Sequence, residues 1–366
     1  MENIFPEIRG CLGFGCMRLP MLGEQVDIPQ TMQMVDAYLN AGFNYFDTAH
    51  GYLDGRSEQA LKTCLTSRYP REAYLLTNKL SANFFETREE IRPLFEKQLE
   101  ACGVTYFDFY LMHAQSAGRF EKYCRAQAYE TALELKAEGK IRHMGISFHD
   151  SPQVLEKILD RYPQIEAVQL QFNYLDYDSP KIQSRECYQV CRRYGKPVFV
   201  MEPVKGGSLV KLPPAAQRIF DGLHGGSNAS YAIRYAAGFP GIRTVLSGMS
   251  TLSQMEENLG FMGKFQPLSP REQEAVAQVR EILRSQGLIP CTGCRYCTEV
   301  CPEKIPIPQL FACLNDKFCG RTADTGGLTG GRPGDCRGCG SCEAACPQQL
   351  PIRSLLLSAR GELGLG

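Results

Sequence analysis

Short apolar runs rich in β-branched and aromatic residues punctuate this chain, and between them lie longer stretches in which apolar residues recur every three or four positions. The first kind reads as a strand and the second as an amphipathic helix. Strands are expected over 43–48, 74–79, 107–113, 141–147, 165–171, 197–202 and 244–248, with a weak last one near 261–265. Helices are expected over 29–41, 86–102, 119–138, 152–161, 180–194 and 229–237. A further, eighth helix is marked by Ser269-Pro270-Arg271-Glu272, a capping box with proline at the first helical position; Val276, Val279, Ile282 and Leu283 form its apolar face and Gly287 ends it. Eight strand–helix units in about 280 residues suit an α/β fold of (β/α)8 TIM-barrel type, with a doubly wound open sheet as the competing arrangement.

Residues 8–20 read as a glycine-rich hairpin, since Gly13-x-Gly15 lacks the third glycine and the preceding strand of a dinucleotide-binding loop. After Gly287 the chain turns rich in cysteine and proline, so the domain division is expected at 1–287 for the barrel and 288–366 for a separate module. Inside that module, 308–318 reads as a short helix and 320–334 as a glycine-rich surface loop. With 366 residues and 43% hydrophobic content, the chain can bury a large core. Forty basic residues balance forty acidic ones without long runs of either sign. Neither nucleic-acid nor membrane attraction is suggested, and small-molecule chemistry becomes the default. Seventeen cysteines, no secretory leader and no apolar stretch long enough to span a bilayer place the protein in a reducing, cytoplasmic setting.

Eight cysteines form one pattern written twice: Cys291-x-x-Cys294-x-x-Cys297-x-x-x-Cys301-Pro302, then Cys336-x-x-Cys339-x-x-Cys342-x-x-x-Cys346-Pro347. Zinc ribbons use two cysteine pairs and have no use for the third cysteine or the Cys-Pro, and disulfides suit short secreted chains. Two 4Fe-4S clusters are therefore expected, in a small α+β module like the two-cluster bacterial ferredoxins. By that ferredoxin pattern, Cys291, Cys294, Cys297 and Cys346 hold one cluster while Cys336, Cys339, Cys342 and Cys301 hold the other. The other nine cysteines, including Cys187 and Cys191 four apart on one helix, read as small buried hydrophobes.

In the barrel, Asp47, Tyr52, Lys79 and His113 stand at or just beyond the C-terminal ends of successive strands, the face on which barrel active sites are built. A lysine beside the phenol is expected to lower its pKa, a carboxylate to keep that lysine charged and aimed, and a neutral imidazole to orient a carbonyl oxygen. The sequence Phe46-Asp47-Thr48-Ala49-His50-Gly51-Tyr52, then Ser57-Glu58, Asn78-Lys79 and Asp108-Phe109-Tyr110-Leu111-Met112-His113, resembles the aldo-keto reductase signature with its Asp, Tyr, Lys and His tetrad. The likeness continues through Gly145-Ile146-Ser147, Gln169-Leu170-Gln171-Phe172-Asn173 and Glu257-Asn258, most of residues 8–265. Chain and tail together look like an aldo-keto reductase fused to a dicluster ferredoxin.

The resemblance implies an oxidoreductase that passes hydride from NAD(P)H to a small-molecule carbonyl, with Tyr52 giving the proton and the choice between NADH and NADPH (NAD or NADP) left open. Ser147, Gln169 and Asn258 match family cofactor contacts. Three positions depart from the pattern: Phe148 follows Ser147 where asparagine is usual, Glu202 stands where an aromatic commonly stacks, and Gly248, Met249 and Gln254 replace groups that grip a 2′-phosphate. Clusters carry single electrons and nicotinamide carries hydride, so direct exchange between them needs a converter such as flavin. A flavin in the barrel, a redox partner protein, or an electron-transfer or sensing protein with a non-catalytic barrel are the alternatives. His50, His143, His149 and His224 read as structural or solvent-facing, His149 being the best placed of them for the site.

Overall fold

The computed structural model describes residues 4–223 and 225–365, so the reading of His224 lies outside the described residues. Eight parallel strands close into a barrel: β1 (Leu12–Gly15), β2 (Tyr45–Asp47), β3 (Leu75–Leu80), β4 (Phe107–Gln115), β5 (Ile141–Phe148), β6 (Ala167–Gln171), β7 (Val198–Met201) and β8 (Ile242–Ser247). Outside it run α1 (Ile28–Asn40), α2 (Arg56–Leu61), α3 (Ile91–Cys102), α4 (Ala117–Arg125), α5 (Ala128–Ala137), α6 (Pro152–Arg161), α7 (Ser184–Arg193), α8 (Pro214–Asp221), α9 (Asn228–Ala237) and α10 (Leu252–Met262). Next, α11 (Pro270–Ser285) packs on α8 and carries the expected capping box. The chain ends in α12 (Tyr296–Glu299), α13 (Ile307–Phe318), α14 (Ser341–Ala345) and α15 (Ile352–Glu362).

Seven strands lie where the apolar runs put them; the remaining one does not. Residues 261–265 are no strand, since Phe261 belongs to α10, which Thr251 caps by accepting from the Gln254 N–H. The missing strand is β1, which pairs with both β2 and β8 and closes the ring. Its inward positions are Gly13 and Gly15, so only Leu12 and Phe14 contribute apolar side chains and the run imitates a turn. Glycine is needed at 13 because a Cβ there would lie 2.6 Å from Leu246 and 2.9 Å from Thr244. The expected helix over 119–138 is two helices, broken at Gln127, which adopts the left-handed conformation (φ 50°). The helix expected from 86 begins instead at Ile91, because the Glu90 carboxylate accepts from the N–H groups of Glu86 and Thr87 and holds that stretch as a turn.

An apolar plug closes the N-terminal end of the barrel: Phe5 packs edge-on against Phe109 (centroids 5.0 Å apart), in a cluster with Ile8, Tyr45, Leu75, Ala167, Phe199 and Leu246. That leaves the opposite end for polar side chains. The C-terminal module has its own small core, from Ile289 through Phe311 and Leu314 to Leu356 and Ala359. Among its described residues it has helices and no strand, so the α+β expectation is corrected to a helical module. Each half runs from its Cys-Pro through an isoleucine or leucine to a second proline, Pro306 or Pro351, and then straight into α13 or α15. Those prolines lack the N–H a strand ladder needs.

Candidate active site at the barrel mouth

Parallel register puts Asp47, the last residue of β2, beside Thr77 of β3, and Lys79 two residues further points to the same interior face. The Lys79 ammonium donates to Asp47 Oδ1 at 2.6 Å, to the carbonyl of Thr48 at 2.8 Å and to the Tyr52 hydroxyl at 3.1 Å. Tyr52 is brought there by a tight turn after β2 in which Leu53 and Asp54 are left-handed (φ 53° and 56°). The His113 ring meets that of Tyr52 edge-on at 6.0 Å, and its Nδ1 lies 2.6 Å from Ser81 Oγ. A serine donating to Nδ1 leaves the ring proton on Nε2. The structure thus gathers Asp47, Tyr52, Lys79 and His113 into one cluster.

Burial dominates its electrostatics. Lys79 is wholly buried, and desolvation pulls its pKa below the usual lysine value while Asp47 pulls it back. Burial, then Lys79 and then Arg119 hold His113 well below the usual histidine value, so the imidazole is neutral. Tyr52 departs from expectation: burial, then the charges of Asp47 and Glu202, push its hydroxyl well above the ordinary phenol value. The cation's nearest oxygen belongs to Asp47, which offsets its effect on the phenol. Tyr52 is therefore a protonated phenol ready to donate rather than a phenolate.

Of the expected cofactor contacts, Gln169 and Asn258 line a cavity of about 300 Å³ that also touches Asp47, Tyr52 and His113. Gln169 donates to Asp47 Oδ2 at 3.1 Å, and Asn258 to Ser247 Oγ at 2.8 Å, so each keeps its amide oxygen for a ligand. Ser147 is buried, and its hydroxyl accepts from the Ala114 N–H at 2.7 Å. It supports the end of β4 from below instead of lining the cavity. Glu202 projects into this cavity from a left-handed residue (φ 58°), with Oε2 buried and without a partner. On the far side of Tyr52 and His113 lies a second cavity of about 540 Å³, walled by Ser81, Phe84 and Arg119.

The C-terminal module roofs both cavities. Tyr296 lines each of them, Cys294 and Gln348 line the first, and Glu299 and Val300 the second. A buried polar clamp joins it to the barrel: Lys205 donates to both oxygens of Asp176 at 2.7 Å and to Gln348 Oε1 at 2.9 Å, while Gln348 donates to Gln171 at 2.8 Å. Arg18 adds a bond to the carbonyl of Thr292 at 2.6 Å. Within the module, Cys291, Cys294, Cys297 and Cys346 line one small cavity with Phe311 and Ile352, and Cys301, Cys336, Cys339 and Cys342 line another with Ile305 and Leu356. Among the described residues no His, Cys, Asp and Glu side chains converge as ligands of a single metal ion. Four thiols around one apolar hole fit a cubane, whose irons occupy separate corners.

Of the other described histidines, His143 lies away from the cavities, while His50 lines the second and His149 the first. His50 pairs with Glu58 at 2.8 Å, and His143 sits between Glu7 and Glu166. His149 does line the first cavity, with burial and then Arg119 lowering its pKa to about 4. Cys187 and Cys191 are buried in the core, the former pushed up to about 12 by burial. Residues the sequence did not single out are Arg119, Ser81, Lys205, Asp176, Tyr296 and Gln348. The only trace of Tyr296 is its place between two ligand-type cysteines, which becomes informative once the module docks.

The sequence pattern of the aldo/keto reductase family matches residues 11–282, and that of a 4Fe-4S dicluster domain matches residues 290–352. Among curated proteins, L-galactose dehydrogenase of Arabidopsis thaliana is 25% identical over 290 residues, covering 74% of this chain and 90% of its own. The NADH-specific methylglyoxal reductase of Escherichia coli is 30% identical over 199 residues, 48% of this chain and 57% of its own. Among solved structures, the holo form of an aldo-keto reductase from Bacillus halodurans superposes with a TM-score of 0.60 at 25% identity, covering 73% of this chain and 91% of that one. An aldo-keto reductase from Klebsiella pneumoniae in complex with NADPH has a TM-score of 0.59 at 19% identity, covering 74% and 90%.

Proposed function

The chain belongs to the aldo/keto reductase family of oxidoreductases, and on that premise we propose that it interconverts a small-molecule carbonyl and its alcohol at Tyr52. The observation that carries this reading is the Lys79 ammonium bonded to Asp47 and to the Tyr52 hydroxyl beneath a neutral His113. Tyr52 donates its proton to the carbonyl oxygen as that oxygen gains charge. Lys79 offsets the negative charge left on the phenol, and Asp47 keeps the lysine aimed. His113 orients the same oxygen from the side with its ring proton.

A bound nicotinamide would supply the hydride. Gln169 and Asn258, whose amide oxygens are uncommitted, would each accept from the bound cofactor, and the NADPH in the Klebsiella relative supports nicotinamide over flavin as the carrier. Ser147 acts indirectly, by holding the backbone of β4 at Ala114. The two four-thiol cavities fit 4Fe-4S clusters, which would be held by Cys291, Cys294, Cys297 and Cys346, and by Cys301, Cys336, Cys339 and Cys342. The barrel is assigned to residues 1–287 and the cluster module to 288–366.

The test is Tyr52→Phe in protein purified without oxygen. Turnover of aldehydes with NADH or NADPH should fall at least about a thousandfold, with cluster absorption unchanged; undiminished turnover would sink the mechanism. A second reading, that barrel and clusters form one redox unit, is favoured by Cys294, which faces the cavity that Tyr52 lines. It requires the cluster midpoint potentials to move when nicotinamide binds, and unmoved potentials remove it.

A further inference from the structure

Among the described residues Arg119 is a cation without a carboxylate partner. It stands in the first turn of α4, just past β4, and lines the larger cavity together with Tyr52, His113 and Tyr296. Its Nη1 donates to the carbonyl of Ala114 at 2.9 Å, which pins the side chain and leaves most of the guanidinium fork uncommitted. Among the described residues it makes no ion pair. Of the acidic side chains on the same wall, Glu58 is held by His50 and Asn78, Asp54 pairs with Arg56, and Glu299 makes no ion pair with Arg119 among the described residues. Asp150, from the loop beside α4, is taken by the N–H groups of Ala117 and Ser151.

The other ionisable groups around this corner are His113 and His149, both neutral, and the Tyr52 phenol, which burial keeps protonated, together with Lys97, Tyr296 and Glu299 on the same cavity wall. A partly buried cation with no carboxylate bonded to it favours a ligand that supplies the missing charge. A guanidinium offers paired N–H donors matched to the two oxygens of a carboxylate or phosphate. The corner is beside the hydroxyl that would protonate the carbonyl, so the charge and the reacting group belong to one molecule.

Building on the reading of Tyr52 as proton donor, we propose that Arg119 binds an anionic group, carboxylate or phosphate, carried by the carbonyl substrate, so that acidic aldehydes and ketones are preferred to neutral ones. The experiment compares charged and neutral partners of similar shape: 4-carboxybenzaldehyde against 4-nitrobenzaldehyde, and glyceraldehyde 3-phosphate against glyceraldehyde. Arg119→Gln should raise KM for the anionic member about tenfold and leave the neutral member's kinetics unchanged, and Arg119→Lys should recover part of the loss. Which pair shows the larger preference identifies the anion as carboxylate or phosphate. An equal effect on both members of each pair, or no effect, overturns the proposal and leaves Arg119 as a strap on the end of β4.

Binding of 4-carboxybenzyl alcohol, followed by calorimetry, separates this inference from the reading beneath it. If no aldehyde is turned over, the Tyr52 mechanism fails. Binding that is lost in Arg119→Gln still supports the anion site, and absence of binding to the parent protein overturns it.

Discussion

At the scale of single residues, Asp47 is what makes Lys79 tolerable inside the barrel. An ammonium taken out of water without a counter-charge costs several kcal/mol, about 3–5 kcal/mol when one member of such a pair is deleted. Neutral imidazoles nearby carry the complementary constraint. His149 has a folded-state pKa of about 4 against the ordinary histidine value of 6.5, and His113 is displaced in the same direction. Below 6.5 the unfolded chain binds protons that the folded chain refuses, so stability is retained above that value and declines as pH falls toward about 4. His149→Asn should flatten part of that decline, measured as denaturant midpoints at about pH 7 and about pH 5. An unchanged slope would show that His149 is solvated as in the unfolded chain.

At the scale of elements, local signals and tertiary demands agree in most places and conflict in a few. The capping box of α11 is wholly local: Ser269 Oγ accepts from the Glu272 N–H, and the Glu272 carboxylate accepts from the Ser269 N–H. The same carboxylate also pairs with Arg234 of α9, which ties the helix to the barrel wall. Ser269→Ala should therefore cost about 1 kcal/mol and no activity, read by thermal unfolding beside steady-state rates. β1 is the opposite case. Its glycines serve the crowded barrel interior, so the demand that selects them is invisible along the chain. Gly145 on β5 answers the same demand, since a Cβ there would lie 2.7 Å from the Ala167 carbonyl and 2.7 Å from Leu111.

At the scale of the whole molecule, the cluster module forms a wall of the candidate site, since Cys294, Tyr296 and Glu299 line its cavities. Its docking depends on Gly206, which is left-handed (φ +62°) and sits so close to Thr292 that a Cβ would lie 2.1 Å from that carbonyl. Both atoms are backbone, so neither can swing aside. Gly206→Ala should lift the module from the barrel mouth, exposing the connection after α11 to protease and weakening aldehyde turnover, while the barrel's far-ultraviolet circular dichroism stays as in the parent. Turnover and protease resistance at parental levels would mean that the site does not need its roof. Among the described residues no helix is long and apolar enough to cross a membrane.

The sequence alone determined what is periodic or covalent in character. Seven barrel strands, the capped α11 and the two cysteine patterns rest on repeats of two, three or four residues, and Asp47, Tyr52, Lys79 and His113 follow from strand ends. Tertiary structure decided what depends on distance between segments far apart in the chain. It made Gly13 and Gly15 a strand, set Tyr52 above the usual phenol value through burial and the carboxylates of Asp47 and Glu202, and turned Ser147 from a cavity contact into a support. It also brought Tyr296 over the site and set Arg119 beside it, without an ion pair among the described residues. The reason is physical: register and capping are properties of neighbouring residues, whereas desolvation and steric closure are summed over every segment that arrives at a point.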